Sequence, residues 1–186
     1  MVLSKMTNVM FQLTSSYLEQ LFTSPVKTKA ISSCIINSLG NLLAQKISGA
    51  KTINRESLLA FAMFGLIIGG PVPHYFHSLV HPFVKNPLMV LLIERCLYTP
   101  CFQVLTLYML AVFEGNTHND ACIRVKKLYL PVLLANMKYL TLLQYLNLNY
   151  VSPMIRDLVV NMISFFWIVY LALQWSKEAK SKQAQK

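Results

Sequence analysis

The sequence predicts an all-α fold, a polytopic helical bundle integral to a membrane, and three observations predict it. Hydrophobic residues make up 55% of the chain and charged residues 13%, against about a quarter charged in a soluble domain. The run from Ser57 to Val84 holds no Asp, Glu, Lys or Arg, and about 20 helical residues suffice to cross a hydrocarbon core of about 30 Å. Within that run, FGLIIGGPVPHYF (64–76) sets Gly65 and Gly69 in a GxxxG frame. Small residues four apart let two membrane helices approach closely. Pro71 and Pro73 follow at once. They remove two backbone donors and are expected to end or kink the helix. In lipid a broken helix is tolerated only where it is buried in protein or lines a wet cavity.

At 186 residues one bundle is expected. Its transmembrane helical domain runs over 21–176, after an N-terminal interfacial or flexible segment (1–20) and before a basic flexible tail (177–186). About four transmembrane helices are counted, plus one ambiguous apolar segment at 128–153. The net charge of +10 is spread over termini and short loops. That pattern suits head-group contact and topology, not nucleic acid, because no compact basic domain is left to bind it. Cys34, Cys96, Cys101 and Cys122 form no CxxC pair, so neither a zinc site nor a disulfide framework is indicated. The N-terminus shows neither a secretory h-region nor the Arg-rich character of a mitochondrial transit peptide.

The first apolar run, AISSCIINSLGNLLAQ (30–45), is short and relies on Lys27, Lys29 and Lys46 reaching outward to the interfaces. Ser33, Asn37, Asn41 and Gln45 recur every four residues and share one helical side. Polar groups inside a membrane should face the bundle or a water-filled cavity. A loop with turn residues (48–57) leads into the second run, which ends in His74, His77 and His81. Their spacing would allow a metal, but no carboxylate or Cys lies nearby, and interfacial histidines are the better reading. The third run (88–113) carries Glu94 and Arg95 near its start, with Thr99, Gln103 and Thr106 on one face and Pro100 offering a kink. Adjacent helical residues diverge by about 100°, so Glu94 and Arg95 are each expected to need a separate partner. Glu114-Gly115-Asn116 ends that helix, and a polar loop is expected as far as Lys127. The ambiguous segment follows, interrupted by Pro131, Lys138, Gln144, Asn147 and Asn149. The last run, 158–175, reads as a simple span closed by Trp175 and Lys177 as an interfacial anchor. Four spans would place both termini on one side.

No GxGxxG, GxxxxGK, GxSxG or HExxH motif is present, and the seven acidic residues are dispersed. Neither an enzyme nor a cofactor is indicated, although Glu94 or His74 would serve a proton relay in a coupled transporter. The two neutral polar faces have two readings. One is interhelical hydrogen bonding, worth about 0.6 kcal/mol per contact. The other is the lining of a narrow wet pore.

Taken in order, the segments also carry a resemblance. TKA (28–30) and SLGNLLAQ (38–45) are followed by GLIIGGPVPHYF (65–76), ERCLYTPCF (94–102), FEG (113–115), QYLNLNYVSPMIRDL (144–158) and FFWIVYLA (165–172). On these the chain resembles the peroxisomal branch of the Mpv-type family of small organellar membrane proteins. The most specific motif, GP-x-x-H with aromatics, is carried by Gly70, Pro71, His74 and Tyr75. Glu94, Pro100, Gln144, Asn149, Pro153, Arg156 and Trp167 match further family positions, with Glu94 standing where Asp is usual. Asn41 with Gln45 looks like the peroxisomal branch, since Asp is commoner at the first position in the mitochondrial one. Asn136 is kept, but Met137, Leu140 and Leu142 replace the expected Trp, Trp and Pro, which removes two interfacial anchors and a break. The resemblance implies a four-span protein of the peroxisomal membrane forming a pore for small metabolites. Its implied partners are the bilayer, small polar solutes, further copies of itself and the peroxisomal membrane-protein import machinery. The alternative is a mitochondrial inner-membrane channel or scaffold protein whose polar faces serve only helix packing.

Overall fold

Helix ends in this chain are set by local chemistry that can be followed turn by turn. The structure, a computed structural model, describes residues 19–20, 22–50, 52–80, 82–151 and 156–184. Helix α1 (Pro25–Ile47) starts with a proline in its first turn, where the missing N–H costs nothing. It stops at Gly49, whose φ of 70° lets Gly49 N–H reach Lys46 O and Ala50 N–H reach Gln45 O. Those two bonds satisfy carbonyls that the helix end would leave open. The same turn recurs at Gly115 (φ 83°), with Gly115 N–H on Val112 O and Asn116 N–H on Ala111 O. Asn54 caps α2 (Arg55–Phe64) by accepting from Ser57 N–H at 3.0 Å.

Proline does not break the second run. Between α2 and α3 (Pro71–Val80) lies one π-helical turn, Gly65–Gly69. There Gly70 N–H donates to Gly65 O, five residues back. The widened turn absorbs the carbonyl clash that Pro71 would otherwise cause, so Arg55–Val80 is one rod of 26 residues. The third run repeats the device. Helix α4 (Pro87–Ile93) passes through a π turn at Glu94–Tyr98 into α5 (Thr99–Phe113), with Pro100 just beyond the turn. The expected breaks at both sites are therefore bulges within continuous helix.

Two further expectations change. Helix α6 (His118–Ala135) begins inside the expected polar loop, because Thr117 accepts from Asp120 N–H at 3.3 Å while its hydroxyl donates to the Asp120 carboxylate at 2.7 Å. It continues through a π turn (Asn136–Leu140) into α7 (Thr141–Tyr150), so the ambiguous segment is the second half of a rod. Helix α8 (Arg156–Ala184) runs on through most of the expected basic tail, since buried Glu178 ties its last turns to Arg124. Residues 1–18 and the last two residues of the tail lie outside the described residues.

The described residues thus form five helical rods where four spans and an ambiguous segment were expected. Cross-contacts show that the first and second rods run antiparallel, as do the third and fourth. Asn41 meets Ser57 while Gly65 meets Ser33 and Cys34, and Glu114 meets Arg124 while Arg95 meets Asn136. Helix α1 packs against α2 and the first π turn on one side and against α8 on another. With five rods, α1 begins and α8 finishes at opposite ends of the bundle. Phe61, Phe64, Leu107, Leu110, Leu171 and Trp175 fill the core at the end bearing the glycine turns.

The exterior is apolar. Ile31, Ile35, Leu39 and Leu43 make an exposed stripe on α1, and Leu59, Met63, Leu66 and Ile67 continue it on the second rod. Only 39% of the most apolar window of Arg55–Val80 and 33% of that of Leu88–Phe113 is buried. Water-exposed helices with that much open apolar surface would aggregate, whereas hydrocarbon solvates it.

Candidate functional site

The polar residues that sequence spacing singles out point inward. Asn37, Asn41 and Gln45 on α1 are buried, with Ser33 half-buried above them, and Thr99, Gln103 and Thr106 on α5 are buried as well. The two stripes do not behave alike. Gln45 donates to Asn41 Oδ1 (2.7 Å) and to Asn54 O (3.1 Å), and accepts from Asn54 N–H (2.7 Å). Asn41 donates to Ser57 Oγ (3.2 Å). These two side chains lock the α1–α2 hairpin. Thr106 donates to Phe102 O in its own helix.

Asn37 and Gln103 are different. Asn37 Nδ2 donates to Ser33 O at 2.7 Å, but its Oδ1 is buried without a hydrogen-bond partner among the described residues, as is Gln103 Nε2. Asn37 to Ile47 and Gln103 to Phe113 are equal stretches of about 15 Å of helix, which sets both amides near the middle of the bundle. A buried polar atom left unpaired costs about 1–3 kcal/mol.

Glu94 and Arg95 correct an expectation. They pair with each other, Arg95 Nη2 to Glu94 Oε1 at 3.1 Å, and Arg95 Nη1 also donates to Asn136 Oδ1 at 2.8 Å. Both residues sit in the π turn, where each residue advances less around the axis than in an α-helix, and the long guanidinium arm closes the remaining gap. Asn136 stands in the π turn of the facing rod, so the two bulges meet across the seam. Arg95 Nε and Tyr98 Oη are further buried atoms without a hydrogen-bond partner there. Pro100 follows within the first turn of α5.

The remaining motif residues do not converge on this interior. Gly70 is buried against Ala30 and Lys29, and Pro71 opens α3. His74 Nδ1 lies 3.3 Å from Lys29 Nζ, and Tyr75 is 62% exposed beside it. Gln144 is half-buried, Asn149 donates to Tyr145 O in its own helix, and Trp167 stacks on Tyr170. Arg156 heads α8, while Pro153 and His81 fall outside the described residues. Among the described residues no group of three or more His, Cys, Asp or Glu is placed to hold a metal ion.

A second polar cluster was missed from sequence. Arg124 on α6 is ion-paired with Glu114 after α5 and with Glu178 on α8 (2.7 Å), and donates to Trp175 O at 3.1 Å. Its guanidinium lies 3.5 Å from the Trp175 ring centroid, and the indole N–H donates to Glu114. Trp175 is only 1% exposed, so it is a buried strut and not the expected interfacial anchor. The FEG triplet and the Thr117–Asp120 spacing were the available signals.

Comparison with known proteins fits this architecture. The Mpv17 / PMP22 family profile matches residues 111–172. Peroxisomal membrane protein 2 of Bos taurus is 31% identical, over 85% of this chain and 87% of its own length. The chain belongs to the Mpv17 / PMP22 family. Peroxisomal membrane protein PMP22 of Arabidopsis thaliana is 27% identical over 85% of this chain and 87% of its own. Mitochondrial inner membrane protein Mpv17 of Caenorhabditis elegans is 22% identical over 82% and 87%. These identities group the chain with the family's peroxisomal membrane proteins, ahead of its mitochondrial ones. No solved structure matches it.

Proposed function

We propose that the chain forms a passive, non-enzymatic pore for small hydrophilic solutes in the peroxisomal membrane. The observation that carries the reading is the pair of buried amides, Asn37 and Gln103, each with a polar atom unpartnered among the described residues, at mid-depth of a bundle whose exterior is apolar. In hydrocarbon such atoms are stabilised only by water or by a polar solute. The bulged rods beside them support the same reading, since π turns gather at functional sites. Assembly with further copies, and insertion by the peroxisomal membrane-protein import machinery, belong to the same proposal.

The test is release of graded polar solutes from liposomes holding the purified chain, without an energy source. Wild-type protein should release small solutes in a size-dependent way. Asn37→Leu or Gln103→Leu should each slow release about fivefold, since losing about 1 kcal/mol of solute stabilisation raises the barrier by that factor. Asn41→Leu should instead loosen the α1–α2 hairpin. Unchanged release in both amide variants would remove the interior from the path.

The complete bonding of Asn41 and Gln45 favours a second reading, in which the polar stripe only packs helices in a scaffold protein of the mitochondrial inner membrane. Folded, inserted protein that releases nothing, together with mitochondrial localisation of a tagged chain, would support it.

A further inference from the structure

Cys122 differs from the other three cysteines. Cys96 and Cys101 are exposed on the apolar outer face of the third rod, and Cys34 lies in α1 beneath Gly65. Cys122 sits in α6 four residues past His118, and its Sγ is 3.7 Å from His118 Nε2. The other ring nitrogen, Nδ1, is 3.0 Å from the hydroxyl of Tyr108 on α5. Tyr108 is held against the hydrophobic core, whereas His118 is exposed. Residues four apart share a helix face, and the site begins one residue past the Thr117 cap, at the rim of the bundle. Among the described residues no other thiol lies against a histidine.

A nucleophile, a base within reach of it and a third group orienting that base is the arrangement that activates a side chain for covalent chemistry. We propose that Cys122 is a base-assisted reactive thiol, a modification site for small soluble disulfides. With its proton on Nδ1, His118 donates to Tyr108 Oη and presents bare Nε2 to the thiol. Nε2 takes the thiol proton. The Cys122 thiolate then attacks one sulfur of the disulfide, forming a mixed disulfide while the ligand's S–S bond breaks. The departing thiolate takes the proton back from Nε2 and leaves as a thiol, so atoms, protons and electrons balance. Exposed Lys126 and Lys127, one turn further on, favour an anionic disulfide. Tyr108 acts here as a positioning residue.

The test uses the full chain in liposomes, treated with glutathione disulfide and separately with iodoacetamide, with each cysteine's modification followed by peptide mass. Cys122 should react first with both. His118→Gln should slow it about tenfold or more and change the shape of its rate-against-pH profile, because the variant has no base to take the thiol proton. Tyr108→Phe should slow it less and leave the profile's shape. Equal Cys122 rates and profiles in wild type and His118→Gln would overturn the proposal, as would earlier reaction of Cys96 or Cys101. Far-UV circular dichroism checks that the variants fold, and His118→Asn provides a second probe at the same exposed position.

Discussion

Arg124→Leu should lower the stability of the bundle by about 3–5 kcal/mol, the cost of breaking a buried ion pair from one side. Arg124, Glu114 and Glu178 have side chains only 4%, 12% and 5% exposed. Removing the guanidinium would strand two largely buried carboxylates. It would also remove the bond to Trp175 O and the cation stacked on the indole. For a chain of this size the loss corresponds to a fall in melting temperature of about 10 °C, measured by circular dichroism in detergent. Arg124→Lys should recover little, because an ammonium cannot stack and fork toward three partners together. The decisive variant is the triple change Arg124→Leu, Glu114→Gln, Glu178→Gln, which removes charge from all three positions and should regain much of the loss. If Arg124→Leu melts with wild type, the cluster carries no structural weight. If the triple variant is as unstable as the single one, the cost comes from packing and not from stranded charge.

The same cluster shows why part of the fold was hidden in the sequence. Apolar runs, glycine turns and the inward polar stripes are local patterns, and α1, the second rod and the third rod could be read from them. Arg124 and Glu178 look like loop and tail charges, since the nearby signals, the FEG triplet and the Thr117–Asp120 spacing, mark helix ends and not burial. Their burial comes from α5, α6 and α8 converging at one end, a contact across more than fifty residues of chain. The prolines misled for another reason. A proline rule assumes an α-helical turn, and a single i→i−5 bond upstream, such as Gly70 N–H to Gly65 O, removes the clash that the rule penalises. For the same reason α-helical angles set adjacent Glu94 and Arg95 apart, whereas the π turn lets them pair. In the candidate site the polar stripe was legible, but the division of labour along it was not. Gln45 is satisfied because the turn at Asn54 folds back to meet it, and Asn41 by Ser57 and Gln45, whereas Asn37, one turn deeper, meets only Ser33 among the described residues.

Gly70→Ala should be the most damaging single methyl in the chain. A Cβ built there would stand 2.6 Å from Ala30 Cα, Ala30 N and Lys29 O, all part of a neighbouring helix. No side-chain rotation relieves a clash with backbone atoms, so α1 and α3 must separate. Overpacking of this kind costs about 1–3 kcal/mol, occasionally more. Gly65→Ala should behave alike, since its Cβ would meet Ser33 O and Cys34 N and Cα at 2.6–2.8 Å. Gly69→Ala should be milder, because the nearest atom is the Ser33 hydroxyl at 2.8 Å, which can turn away. The series has an internal control in second-site rescue. Ser33→Ala should relieve Gly69→Ala, while Ala30→Gly should not relieve Gly70→Ala, because the obstructing atoms are backbone. The series also decides what the GxxxG frame is for. Here Gly65 of the frame, with Gly70 just beyond it, seats one helix of the chain on another, so Gly65→Ala and Gly70→Ala should reduce the yield and melting temperature of folded protein. If those variants fold with wild-type stability and change only the number of copies in the assembly, measured by light scattering in detergent, the frame joins copies and α1 is not its partner.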